Sequence, residues 1–116
     1  MTTTPLQEPT FLILTALADG PLHGYGVIQE VASLSAGRVT LRPGTLYGAL
    51  DRLVEQGLAA AEREEVVDGR LRRYYRLTDD GASVLDAEAR RLTTNAEAAV
   101  TRLRRRSRQR TRLANP

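Results

Sequence analysis

The apolar positions of this chain fall into two repeats, one near 3.6 residues and one near two, and the switch between them delimits the elements. From Thr10, the residues Phe11, Leu12, Ile13, Leu14 and Leu17 predict a first helix whose apolar surface is wider than one stripe packed on one neighbour requires. Asp19, Gly20 and Pro21 break the pattern. A second helix is predicted from about His23 to Ser35, with Ile28, Val31 and Leu34 inward, and Ala36-Gly37-Arg38 ends it. Val39, Thr40 and Leu41 read as a short extra strand. A third helix follows, opened by Pro43, where a missing N–H costs nothing, and closed by Gly57, where a left-handed residue commonly ends a helix.

After that helix the period shortens. Leu58 to Val67 reads as a strand, Asp68-Gly69 is a strong two-residue hairpin turn, and Leu71 to Leu77 reads as the returning strand, in which Tyr74 and Tyr75 alternate faces so that one is core. Thr78 with Asp79 and Asp80 then starts a last helix, the hydroxyl capping it and the acids facing the positive end of its dipole. In that helix Ala82, Leu85, Ala89, Leu92, Ala96, Ala99 and Leu103 recur in steps of three and four, the seam of a paired helix. Four alanines make the seam weak on its own, so the first helix is expected to assist. The dimer interface is therefore expected from Phe11, Leu14, Leu85, Ala89, Leu92, Ala96, Ala99, Val100 and Leu103. The fold class is mainly α with a small β-hairpin (α+β): a winged helix-turn-helix with a long C-terminal dimerisation helix. Residues 1–9 are expected to be a flexible N-terminus, 10–78 the winged helix, 79–105 the dimerisation helix and 106–116 an Arg-rich disordered tail.

The third helix carries the candidate chemistry. Leu46, Leu50 and Leu53 share one narrow sector, while Gly44, Thr45, Gly48, Asp51 and Arg52 project from the other side, where two glycines and a threonine keep the surface low enough to enter a nucleic-acid groove. Beyond the hairpin turn, Arg70, Arg72 and Arg73 form a basic tip able to straddle a phosphate backbone. The expected DNA-binding set is Arg42, Pro43, Gly44, Thr45, Tyr47, Gly48, Arg52, Arg70, Arg72 and Arg73. Within it Thr45, Tyr47, Gly48 and Arg52 are expected nearest base edges, with packing of its ring open for Tyr47 and pairing with Glu55 or Asp51 open for Arg52, while Arg42 and the three hairpin arginines are expected mainly to neutralise phosphates.

The blocks PLHGYGVIQEV at 21–31, LRPGTLYGALDRLVEQGL at 41–58 and GRLRRYYRLTDDG at 69–81, in this order and spacing, resemble the PadR family of transcriptional regulators. The resemblance covers most of residues 10–103. It implies a dimeric winged-helix repressor whose groove-reading helix is residues 43–56, with Thr45, Tyr47 and Gly48 at near-DNA positions, whose wing is residues 68–73, and whose fourth helix dimerises from Asp79 to about Arg105. The chain stops soon after that helix, as in the short form of the family. The resemblance also implies a small apolar or aromatic effector held between the first and fourth helices of the dimer.

Composition narrows the remaining classes. A chain of 116 residues is one domain with a small core, which pairing would help to stabilise. Every one of the 17 basic residues is Arg, and all lie in residues 38–116; this suits bidentate contact with phosphate or guanine and equally fits a GC-rich coding bias. No apolar run is long enough to span a membrane and no secretory signal precedes one, so a cytoplasmic protein is expected. Without cysteine there is no disulfide and no thiolate metal site, and no phosphate loop or nucleophile with a base is visible, so neither enzyme activity nor a cofactor is expected. His23, the only histidine, reads as a structural helix-start residue, and Tyr25 reads as packing at the same place or as a phosphate ligand. Residues 102–112 hold seven arginines and no acid, which fits a frayed helix end, an arm on DNA phosphates, or a site for an acidic protein. The leading reading is a sequence-specific regulator of pseudo-palindromic double-stranded DNA, acting as a homodimer. The alternative is a winged-helix protein-interaction module, an antirepressor or adaptor; RNA binding lacks a stacking platform.

Overall fold

The computed structural model describes residues 5–114. The elements run α1 (Glu8–Ala18), β1 (Leu22–His23), α2 (Gly24–Leu34), α3 (Pro43–Glu55), β2 (Ala59–Val67), β3 (Arg70–Leu77) and α4 (Asp79–Ala114). The strands form an antiparallel sheet in the order β1-β3-β2, with Leu22 opposite Tyr75, His23 opposite Tyr74 and the β2–β3 ladder running from Ala59–Leu77 to Val67–Arg70. The chain divides into two compact units, residues 1–86 and 87–116.

The core of the first unit gathers Ile13, Leu14 and Leu17 of α1, Val27 and Val31 of α2, and Leu46, Leu50 and Leu53 of α3, closed by Ala59 and Tyr75 of the sheet. Leu14 is 0% exposed in this core, so it is unavailable to a second chain, contrary to its expected place in a dimer interface. α1 alone could not reveal this, because its apolar surface is wide and the chain's own α2 and β3 pack against that helix. In α2 the inward residues are Val27 and Val31, with Ile28 half-buried, whereas Leu34 stays exposed. The expected strand at residues 39–41 is absent: Val39 N–H donates to Ser35 Oγ (2.9 Å), and Leu41 is buried in the core. The third strand is instead Leu22–His23, immediately before α2.

Turn chemistry explains the boundaries. Asp68 and Gly69 both have positive φ (51° and 76°), the pair of left-handed residues that a tight hairpin matched to strand twist demands. At the end of α3, Leu58 N–H reaches Leu53 O (2.9 Å) and Gly57 N–H reaches Val54 O (3.0 Å), a Schellman closure with Gly57 left-handed. Thr78 Oγ1 accepts from Gly81 N–H (3.0 Å), the expected cap, and donates to Gly57 O (2.6 Å), so one hydroxyl joins the start of α4 to the end of α3. A methyl group on Gly81 would fall on the Leu58 carbonyl oxygen, so the first turn of α4 lies directly on that backbone. With Leu85 half-buried against the core, the first compact unit takes in the start of α4 as far as residue 86.

Two expectations at the termini are corrected. α1 begins at Glu8, inside the segment expected to be flexible, with Pro9 in its first turn. α4 continues past residue 105 to Ala114, because Arg is a good helix former and no Gly or Pro intervenes. Residues 1–4 and 115–116 of the expected terminal segments lie outside the described residues. In the second unit, Glu88 is 3% exposed and held by Arg91 through Nε (2.5 Å) and Nη2 (3.0 Å), a bond that raises the already high pKa of Arg91.

Candidate nucleic-acid interface

Helix α3 separates its two faces as the spacing of its leucines requires. Leu46, Leu50 and Leu53 are buried, while Arg42, Pro43, Gly44, Thr45, Tyr47 and Arg52 are exposed and Gly48 is half-buried. Core packing is not the reason for the glycines: a Cβ on Gly44 would meet nothing within 4 Å, and one on Gly48 would meet only the tip of Arg52 at 3.6 Å. Their effect is to leave the backbone of α3 bare on its solvent side.

Gly24 is a different case. A Cβ there would lie 2.5 Å from Tyr47 Oη, so the absent side chain lets the Tyr47 ring rest on the start of α2 while the residue stays 46% exposed. Tyr25 is 62% exposed, which disfavours its packing reading. His23 caps α2 by position and sets its ring against Tyr74, centroids 5.4 Å apart and planes tilted by 56°. Tyr74 in turn donates to Glu65 Oε2 (3.1 Å) and lies 4.1 Å beneath the Arg63 guanidinium, while Tyr75, its neighbour on the opposite face, is buried.

The arginines of the hairpin are not equivalent. Arg73 donates from Nε to Glu64 Oε1 (3.1 Å), the residue opposite it in the ladder, and that bond, with the neighbouring Tyr75, raises its already high pKa. Arg70 and Arg72 have no ion-pair partner among the described residues. Two open clefts lie beside these arginines. One, of about 370 Å³, lies between the start of α2, Tyr47 and the hairpin, with Tyr25, Arg70, Arg72 and Arg73 on its walls. The other, of about 410 Å³, joins Arg52 and Arg73 to Asp51 and Glu55, whose carboxylates make it less suited to a phosphate. Of the expected DNA-binding set, Tyr47, Arg70 and Arg72 thus line one cleft, Arg52 lines a mixed-charge one, and Arg73 lies on the walls of both. Sequence reasoning missed Gly24 and left Tyr25 undecided; the glycine–tyrosine–glycine run at 24–26, opening a helix beside Tyr47, was the available signal.

Most of the expected seam residues of α4 are open to solvent in the single chain: Leu92, Val100 and Leu103 are exposed, as are Ala96 and Ala99, whereas Ala89 and, on α1, Phe11 are half-buried, and Leu85 is half-buried against the chain's own core. Among the described residues no group of His, Cys, Asp or Glu could hold a metal ion, and no helix is long and apolar enough to cross a membrane.

The profile of the transcriptional regulator PadR-like family matches residues 13–87. The chain is 44% identical over 80 residues to "Transcriptional regulator Rv3488" of Mycobacterium tuberculosis, a match covering 69% of this chain and 71% of that protein. It is 43% identical over 83 residues to a 37.1 kDa protein of a Streptomyces fradiae transposon, covering 72% of this chain and only 22% of the longer protein. Its fold is similar to that of Bacillus subtilis PadR, solved in complex with operator DNA, with a TM-score of 0.62, 22% identity, and coverage of 70% of this chain and 46% of that one. With the family match spanning residues 13–87 and 44% identity to a regulator covered over 71% of its length, the chain belongs to the PadR-like family of transcriptional regulators.

Proposed function

We propose that this regulator is a homodimer that binds a pseudo-palindromic double-stranded operator and represses by occupying it. The observation that carries the reading is the solvent face of α3, whose Gly44 and Gly48 are bare without any packing need, beside a cleft in which Arg70 and Arg72 lack acidic partners. Thr45, Tyr47, Gly48 and Arg52 would then approach base edges, while Arg42, Arg70 and Arg72 neutralise phosphates. Arg73 contributes less, because Glu64 already neutralises it. The operator complex of Bacillus subtilis PadR supports the same use of the fold.

The exposed side chains of Leu92, Val100 and Leu103 support pairing through α4, and Phe11 remains available to assist. Leu14 takes no part. A small apolar or aromatic effector would sit where Ala89, Ala96 and Ala99 leave room between paired helices, and it would have to favour a dimer that binds DNA poorly, so operator and effector would weaken each other reciprocally.

The deciding experiment is titration of the purified protein against genomic fragments and a selected operator over a range of salt. Changing Arg72 should weaken all duplexes together and flatten the salt dependence, whereas changing Thr45 should alter base preference. Salt-insensitive or undetectable duplex binding would favour the protein-interaction module instead.

A further inference from the structure

The C-terminal part of α4 carries a basic face that belongs to neither the winged helix nor the apolar seam. Continuing the three-four spacing past Leu103 lands on Arg106 and Arg110, so the seam ends at Leu103 and the helix nevertheless runs on to Ala114. At about 100° per residue, Arg104, Arg105, Arg108 and Arg112 gather within roughly 100° of arc, on the side turned away from the seam. All four are exposed, and Arg105, Arg108 and Arg112 with Gln109 line a shallow groove of about 210 Å³. No acid follows Glu97, so nothing later in the sequence offsets these charges. The segment also lies outside residues 13–87, the part matched to the family.

We propose that Arg104, Arg105, Arg108 and Arg112 form a second, sequence-independent site for the phosphates of duplex DNA; the proposal rests on the DNA-binding reading above. Like charges at i,i+4, such as Arg104 with Arg108 and Arg108 with Arg112, repel each other until an anion is bound, so the helix end gains from a polyanion. The arc holds no apolar or aromatic side chain with which to anchor a protein partner, and no apolar face to enter a lipid surface. What remains is a row of planar donors about 12 Å long, set against a duplex that carries one charge every 1.7 Å or so. Pairing through the seam would leave this face outward on each chain.

The test compares the full chain with a variant carrying Arg104→Gln, Arg105→Gln, Arg108→Gln and Arg112→Gln, glutamine being a comparable helix former. Binding to long non-operator duplex is measured against salt, with helical content followed by circular dichroism. The logarithmic salt slope should flatten by roughly 3 to 4 for each chain engaged, and the pairwise variants Arg104→Gln/Arg108→Gln and Arg105→Gln/Arg112→Gln should each flatten it about half as much. An unchanged slope in all three variants, with Arg72→Gln still flattening it, would overturn this site alone and leave the winged-helix reading intact. Failure of the parent chain to bind any duplex would sink both.

Discussion

Replacing Gly48 with alanine should make the protein more stable and a poorer DNA binder. Gly48 lies inside the 13-residue helix α3, where glycine costs about 0.5–1 kcal/mol relative to alanine through its greater freedom in the unfolded chain. Nothing in the fold requires that cost, because the new methyl would meet only Arg52 Nη1 at 3.6 Å, an ordinary contact with the far end of a flexible side chain. The folded state should therefore gain most of the helix-propensity difference, about 0.8 kcal/mol, or about 0.4 M in urea midpoint for a slope near 2 kcal/mol/M. Unfolding should be followed at one fixed protein concentration, because an associating chain changes its apparent stability with concentration. The same methyl stands on the side proposed to face DNA and should lower operator affinity by about tenfold or more, a loss of about 1.4 kcal/mol. A less stable variant would mean that Gly48 serves packing and that the bare surface is incidental. Unchanged operator affinity at higher stability would refute the placement of DNA against this face.

Three further outcomes separate the fold from the interface. Gly81→Ala should destabilise by more than about 2 kcal/mol, since its methyl would collide with backbone at Leu58 rather than with a movable side chain; a midpoint within error of the parent in the same urea titration would contradict the close docking of the first turn of α4. Thr78→Ala should lose about 1–2 kcal/mol, because both the cap on Gly81 and the bond to Gly57 disappear, and a loss below about 0.5 kcal/mol would show that the hydroxyl is dispensable. Leu14→Ala should cost about 2–5 kcal/mol at every protein concentration, whereas Leu103→Ala should mainly weaken association in sedimentation equilibrium; reversal of the two would restore Leu14 to the interface.

The legible parts of the sequence were those set by local chemistry. Leu46, Leu50 and Leu53 could lie on one side of one helix only, Asp68-Gly69 admits few turns, and a threonine before two acids is a helix start wherever it occurs. The errors fell where a local pattern had more than one tertiary use. Residues 39–41 have the apolar composition of a strand, but Ser35 captures the Val39 N–H and Leu41 enters the core, leaving Leu22–His23 to pair with β3. The basic tip of the hairpin looked uniform because the acids that divide it lie on β2: the register sets Glu64 opposite Arg73 and Glu65 opposite Arg72, but Glu64 bonds Arg73 whereas Glu65 turns to Arg63 and Tyr74.

By itself, then, the sequence determined the order of the four helices and the hairpin, the leucine-lined third helix with its low polar face, and the family, since each depends on short blocks whose spacing is set along the chain. Tertiary structure alone decided that Leu14 is sealed inside, that Gly24 admits the Tyr47 ring, that Gly81 lies on the Leu58 carbonyl, and that Arg70 and Arg72 rather than Arg73 keep their charge unpaired. Those are properties of residues distant along the chain and adjacent in space, and a one-dimensional pattern carries no distance between such residues.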